Sequence, residues 1–410
     1  MVGLSAAEGG ARLLSFAFYL LAARVLVQTD FGIVRYTITL SLVAFAGLQV
    51  LVKALMRELG GARDNVELVR EILGTGVMVS VVIFVLSGVL ILLASRLGLT
   101  GSAEPVGMVG VLAGTACFQL YYAMGRGIGL VARPAVTYVG ASACQLAIFG
   151  LFALLVHPSV AGTLWIYGAT GAIPLVICEV FKPILRRNHL RVTAKAARIL
   201  WKVSAPLVLG QVAYIVWNSA DQIWVESALG TTQIALYGAA KNVSQIFIVL
   251  PAGANGALLP RMAELRAAKR VPSALTLLYR TTFVLMAAST VIALVVIVFR
   301  VDFMRILYGA AYTPAAAQLA VLAVAMTIYA GHFTLTGSAI GLGRPGISTS
   351  TICVAAVVEV LVLVFGHGSS ATFAAWAYAG SIGAGFAIAI ILMAFQGRRL
   401  RKSHRDETSS

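Results

Sequence analysis

The stretch AVTYVGASACQLAIFGLFALLV, residues 135–156, follows directly on Arg133-Pro134, and GISTSTICVAAVVEVLVLVF, residues 346–365, follows directly on Arg344-Pro345. Each is an apolar run of about 20 residues, the length an α-helix needs to cross a hydrocarbon core of about 30 Å. The two basic-proline openings are offset by 211 in a chain of 410 residues. A second echo, at an offset of 203, pairs Val27-Gln28-Thr29-Asp30-Phe31-Gly32 with Gly230-Thr231-Thr232-Gln233-Ile234-Ala235, a short polar turn between apolar stretches in both places. Loop-length differences absorb the gap between the offsets. Duplicated halves around a shared site are a common plan of membrane transporters.

Working outward, the whole chain shares the character of these runs. Hydrophobic residues make up 60% of it and charged residues 11%, against about 25% charged in soluble domains. The mean hydropathy is +0.93. Apolar spans are predicted near 11–27, 33–56, 71–95, 107–125, 134–156, 160–181, 203–228, 234–258, 275–299, 315–338, 345–366 and 371–395. The expected fold is therefore an all-α polytopic membrane protein of twelve transmembrane helices in two six-helix repeats. The expected domains are residues 1–190, residues 191–397 and a basic tail, residues 398–410.

Charge sets the expected orientation. With both termini cytoplasmic, 24 of the 31 lysines and arginines fall on inner segments, among them Lys182, Arg186, Arg187, Arg191, Lys195, Arg198 and Lys202 in one connection. This asymmetry is the positive-inside pattern, which points to a multi-pass protein of the cytoplasmic membrane. The net charge of +16 then reports topology and anionic lipid headgroups. It does not imply nucleic acid, whose recognition needs a folded soluble module that no segment supplies. The N-terminus lacks a cleavable signal pattern, so the first apolar stretch reads as a retained helix.

Catalytic and metal motifs fail. Cys117, Cys144, Cys178 and Cys353 all fall in apolar spans and read as small buried hydrophobes. The five histidines are scattered singly, without metal-ligand spacing. Gly341-Leu342-Gly343-Arg344-Pro345-Gly346 spells a dinucleotide fingerprint, but that motif works only between a β-strand and a soluble helix. Here it reads as a tight turn with proline at a helix start. No nucleophile has a base at motif spacing, no loop exceeds about 25 residues, which leaves no soluble catalytic domain, and neither an enzyme nor a cofactor is implied.

Small residues one turn apart, at Gly110/Gly114, Gly337/Gly341, Ala379/Gly383 and Ser381/Gly385, predict close helix contacts, since lipid supplies no hydrophobic drive for association. Pro174, Pro206 and Pro251 each remove a backbone hydrogen bond in or near a span. Pro251, flanked by Gly253 and Gly256, is the strongest kink candidate.

Charges inside the spans carry the functional reading, because each is costly unless it faces protein or water. Arg12 and Arg24 lie toward the two ends of the first helix, Arg35 and Lys53 toward the two ends of the second. Asp221 and Lys241 each lie about 10 Å from the predicted outer boundary, at a common depth, as an ion pair or as part of a coupling site. Glu359 lies about 21 Å into its span, either hydrogen-bonded as a neutral acid or carrying a proton. Glu179 and Lys182 form a boundary surface pair.

Ala23-Arg24-Val25-Leu26 followed by Asp30-Phe31-Gly32 resembles the junction between the first two helices of polysaccharide transporters. These belong to the multidrug/oligosaccharidyl-lipid/polysaccharide (MOP) exporter superfamily. Asp221-Gln222-Ile223-Trp224-Val225, Leu229-Gly230, Ile234 to Ala240 and Leu259-Pro260-Arg261-Met262 resemble the family's run across helices seven and eight. Two departures stand out: Ala235 replaces a usual glycine, and 410 residues leave no room for two additional C-terminal helices. The resemblance implies a V-shaped transporter that flips polyprenyl-diphosphate-linked oligosaccharide for cell-surface polysaccharide synthesis by alternating access around a cationic cavity. It implies a headgroup site among Arg12, Arg24, Arg35, Lys53 and Lys241, while Asp221 and Glu359 stand as the candidates for ion coupling by their place in the spans. The drive would be a proton or sodium gradient, or removal of product. Two other readings stand beside it. One is an ion-coupled multidrug exporter of the same superfamily, which would favour acidic cavity residues. The other is a membrane-embedded polymerase or ligase, which would need a larger outer loop than the connection near 300–314.

Overall fold

The computed structural model describes residues 2–130, 132–181, 190–268 and 270–409. Lys182, Arg186, Arg187 and Lys269, and with them the Glu179/Lys182 pair, lie outside the described residues, as do the side chains of Pro174, Cys178 and everything beyond residue 395.

The chain is entirely helical among the described residues: α1 (Val2–Val25), α2 (Gln28–Ala44), α3 (Ala46–Gly61), α4 (Val66–Arg96), α5 (Pro105–Gly127), α6 (Ala132–Leu155), α7 (Val160–Phe181), α8 (Ala194–Leu229), α9 (Thr231–Ser244), α10 (Val249–Ala267), α11 (Val271–Val298), α12 (Arg300–Tyr308), α13 (Ala316–Gly341), α14 (Pro345–Phe365) and α15 (Ala371–Ser409). Every predicted span falls on one or two of these. Nine helices among the described residues are long and apolar enough to cross a membrane, ten if the bent pair α2 and α3 is one span. With α1 and α7 in their predicted places, the architecture is the expected multi-pass bundle of about twelve membrane helices.

Local chemistry sets the helix ends. The Asn65 side chain accepts from Leu68 N at the start of α4, Thr193 accepts from Ala196 N at the start of α8, and Glu104 with Pro105 opens α5. Gly343 follows α13 with φ of +74°, and Arg344 N donates to Ala339 O at 2.8 Å. Gly341 to Gly346 is thus a helix-ending turn with Pro345 in the first turn of α14, as its sequence predicts.

The described chain falls into two compact units, residues 6–235 and residues 236–410 together with 1–5. Helix α8, which the sequence reading assigns to the second half, packs in the first unit against α2, α3 and α4. In this unit α5 and α7 approach backbone to backbone. A Cβ on Gly114 would fall 1.7 Å from Gly168 O, and one on Gly168 would fall 2.3 Å from Gly110 O. The Gly110/Gly114 pattern therefore marks a true contact. The polar turns of the second echo also meet: a Cβ on Gly32 would lie 2.1 Å from Thr231 O, so only glycine fits there. The span predicted at 33–56 is not one straight helix but α2 and α3, bent by 54°. Thr39 and Ser41 donate back to the carbonyls of Arg35 and Thr37, four residues earlier, a habit that bends helices. On the far side, α4 exposes Val81, Val82, Val85, Leu86, Val89 and Leu90, a wholly apolar surface of the kind lipid covers.

The second unit is built around α13, most of whose apolar stretch is buried. Helices α10, α11, α14 and α15 pack on it. Gly341 sits against Leu259 and Met262, and Gly337 against Asn255, whose amide donates to Phe333 O. A Cβ on Gly385 would lie 3.1 Å from Thr351 O, so the Ser381/Gly385 pattern is a contact too. Ala379/Gly383 is not, because a Cβ on Gly383 meets open space. Just before Pro251, where a kink is expected, a short 3-10 segment, Gln245–Ile248, separates α9 from α10 within one continuous span. Proline lacks the N–H and its ring clashes with the carbonyl four residues back, which is Phe247. Pro206 and Pro260 lie inside continuous helices. The connection near 300–314 folds as α12 and a 3-10 turn, Ala310–Ala315. The backbone of the predicted tail continues α15 to Ser409.

Candidate functional site

Within residues 6–235, the inward face of α3 and the middle of α8 enclose a cavity of about 290 Å³ lined by Gln49, Lys53, Gln119, Tyr214 and Asn218 among apolar neighbours. The Lys53 ammonium donates to Gln211 Oε1 at 2.5 Å, and Gln211 Nε2 donates to Gln49 Oε1. Gln49 and Lys53 are four apart on α3 and so share a face. Gln211 reaches them from α8, where it is 2% exposed. Amide oxygens position the cation without neutralising it, and none of the cavity's lining residues is acidic. A lysine at the edge of such a cavity, with no acidic lining residue, has the chemistry to attract an anion.

The other predicted residues distribute as follows. Arg12 is exposed on α1, and its charge reaches Tyr214, a wall of the Lys53 cavity. Arg24 is exposed in the last turn of α1, where a cation complements the helix dipole. Arg35, on α2, is 7% exposed with its guanidinium 4.8 Å over the Tyr19 ring. Asp221 is fully buried on α8, and its Oδ1 accepts from Gln222 N. In the second unit, Lys241 is 1% exposed with its ammonium 4.4 Å over the Tyr378 ring. Glu359 is fully buried on α14 and accepts from Ser381 Oγ at 3.3 Å.

Several groups escaped the sequence reading. Gln49 and Gln211 are amides inside apolar spans, a signal that a search confined to charges passes over. Gln222 accepts from Thr39 Oγ1, tying α8 to α2. Glu226, near the end of α8, accepts from Ser102 N at 3.0 Å and holds the connection between α4 and α5. Near the first cavity lies a second of about 180 Å³, walled by α1, α5, α6 and α7, which carries Ser15, Phe118, Tyr138, Ser142, Gln145 and Tyr167. Among the described residues no cluster of three or more His, Cys, Asp or Glu is placed to hold a metal ion.

A family model described as MatE matches residues 206–365. No curated protein matches the sequence. Among solved structures, an inward-facing multidrug resistance MATE family transporter of the MOP superfamily superposes with a TM-score of 0.78 at 14% identity, covering 98% of this chain and 96% of its own. The lipid II flippase MurJ, in an inward closed conformation, gives 0.73 at 14% identity, covering 95% of this chain and 87% of its own. The Vibrio cholerae MATE transporter VcmN gives 0.67 at 16% identity, covering 98% and 95%. At these identities the likeness is one of fold, and it runs over nearly the whole chain. The family-model match covers residues 206–365, less than half of the chain, so together these comparisons establish a MATE-like membrane-transporter fold.

Proposed function

We propose that the protein is a flippase that carries polyprenyl-diphosphate-linked oligosaccharide across the cytoplasmic membrane, for cell-surface polysaccharide synthesis, by alternating access of its two six-helix repeats, residues 1–190 and 191–397. Both termini are then cytoplasmic. The observation that carries this reading is Lys53, held by Gln211 and Gln49 at a cavity with no acidic lining residue. A diphosphate offers several anionic oxygens to such a cation and to the amide donors around it. Arg12 joins Lys53 at the headgroup, and Arg24 adds positive charge at the other end of α1. Arg35 and Lys241, each over an aromatic ring, are positioning charges within their own units. The polyprenyl tail stays in lipid.

A second reading, an ion-coupled multidrug exporter, is supported by the MATE transporters among the structural relatives and by the buried carboxylates Asp221 and Glu359. Both readings allow those carboxylates to couple transport to a proton or sodium gradient. Reconstitution separates them. In proteoliposomes a fluorescent lipid-linked oligosaccharide is expected to cross the bilayer, and Glu359→Gln to remove any dependence of the rate on a pH gradient. Extrusion of a cationic dye with no movement of the lipid would overturn the flippase reading. A rate indifferent both to the gradient and to Glu359→Gln would end the role of Glu359 in coupling.

A further inference from the structure

We infer that the smaller cavity of the first unit is a subsite for a single uncharged sugar ring, placed next to the diphosphate site at Lys53. This rests on the flippase reading and deepens it. The two cavities share Leu42 and Gln119, so one wall separates and connects them. Their chemistries differ. The first presents an ammonium, while the second presents hydroxyls, carboxamides and aromatic rings, with no charged side chain among its lining residues.

Three properties select the ligand. The volume of about 180 Å³ is near that of engineered cavities of about 150 Å³ that accept a benzene molecule, so it takes one six-membered ring and not a chain of them. Ser142 and Gln145 are 5% and 7% exposed and line the cavity, so their polar groups are withdrawn from bulk water, while the Thr170 hydroxyl donates back to Ile166 O on its own helix. Ser15 and Ser142 face each other with their Oγ atoms 3.4 Å apart, at the limit of a hydrogen bond, and a ligand hydroxyl improves on that contact. Phe118 and Tyr138 stand with ring centroids 5.2 Å apart and form an aromatic wall. A pyranose matches this combination, with an apolar ring face to lie on aromatic carbon and a rim of hydroxyls to exchange hydrogen bonds. A hexuronic acid fits less well, because no lining side chain is charged to pair with its carboxylate, and the nearest cation, Arg35, is held over the Tyr19 ring behind Tyr167. The sugar joined directly to the diphosphate is the one within reach, since the phosphate anchor lies across the shared wall.

The test is binding and transfer, in proteoliposomes, of three short-chain polyprenyl diphosphates: one bare, one carrying N-acetylglucosamine and one carrying glucuronic acid. The neutral glycolipid is expected to bind about tenfold more tightly than the other two. Gln145→Leu is expected to erase that preference while leaving the bare diphosphate unchanged. Ser142→Ala, a milder change, is expected to reduce the preference in the same direction, which guards against a misfolded first variant. Equal binding of all three lipids, or a Gln145→Leu loss that is the same with and without the sugar, would overturn the subsite and leave the flippase reading intact. Failure of every diphosphate lipid to bind would overturn both.

Discussion

Lys53 and Lys241 belong to one class in the sequence, a lysine within an apolar span, yet the two units treat them in opposite ways. Lys53 is exposed to a polar cavity and fixed by neutral amides that leave its charge available. Lys241 is 1% exposed, with its ammonium against the face of Tyr378. The amide arrangement keeps a binding charge, and the aromatic one stabilises a charge inside the fold. On the proposed reading, Lys53 is then the binding charge, and Lys241 a charge held within its own unit.

The sharpest way to break this contrast is to remove each lysine in turn and read two quantities. Lys53→Ala is expected to lower lipid-linked oligosaccharide transfer about 10- to 100-fold, which corresponds to the loss of a charge-assisted hydrogen bond of about 1.5–3 kcal/mol. Its thermal stability in detergent should stay near that of the parent protein. Lys241→Ala is expected to do the reverse first, destabilising the protein by about 2 kcal/mol or more through the lost desolvated cation–π contact and the cavity left beneath Tyr378. Equal loss of stability in both variants would dissolve the distinction.

Glycines extend the comparison to backbone packing. Gly114 and Gly383 look alike in sequence, each closing a small-residue pair one turn apart. Gly114→Ala puts a methyl group 1.7 Å from the Gly168 carbonyl oxygen, so α5 and α7 must separate, at an expected cost of about 1–3 kcal/mol. Gly383→Ala enters open space and trades a flexible residue for the best helix former, so it should be neutral or slightly stabilising. Melting temperatures of the two single variants decide the matter. Loss of stability from Gly383→Ala equal to that from Gly114→Ala would mean that the small-residue pattern alone, and not the contact, sets the cost.

These cases show how far the sequence reaches. Span positions are legible because membrane helices must be long and apolar whatever they touch, so α4 and α14 fall where hydropathy puts them. The turn at Gly343-Arg344-Pro345 is legible because glycine and proline restrict the backbone locally. The break at Phe45 is not, since hydroxyls that donate back four residues, like those of Thr39 and Ser41, also occur inside unbroken helices, as at Thr334 and Thr336 of α13. Nor is the pairing of Gln211 with Lys53, which joins helices 158 positions apart and depends on which face each presents. Small-residue spacing states that close approach is permitted. It does not say which side of the helix will be used.

The smallest expected effect concerns two arginines that hold corresponding turns in different ways. Arg63 donates from Nε to Gly127 O at 2.9 Å and from Nη2 to Arg126 O at 3.3 Å, satisfying carbonyls at the end of α5 beside Gly129, whose φ is +90°. Arg266 lies against the equivalent turn after α13, where a Cβ on Gly343 would fall 1.8 Å from its Nη1. Both place a cation at a helix C-terminus, where unpaired carbonyls concentrate negative potential. Arg63 adds directed hydrogen bonds, one of them to a half-buried carbonyl, so Arg63→Ala should cost about 1 kcal/mol. Arg63→Lys should recover only part of this, because an ammonium cannot reproduce the two-pronged geometry of the guanidinium. Amide exchange at residues 126–130 is expected to quicken in Arg63→Ala, while exchange in the turn at 341–344 stays unchanged. Quickening at both turns would show that the two ends move as one, and the local capping account of Arg63 would fall with it.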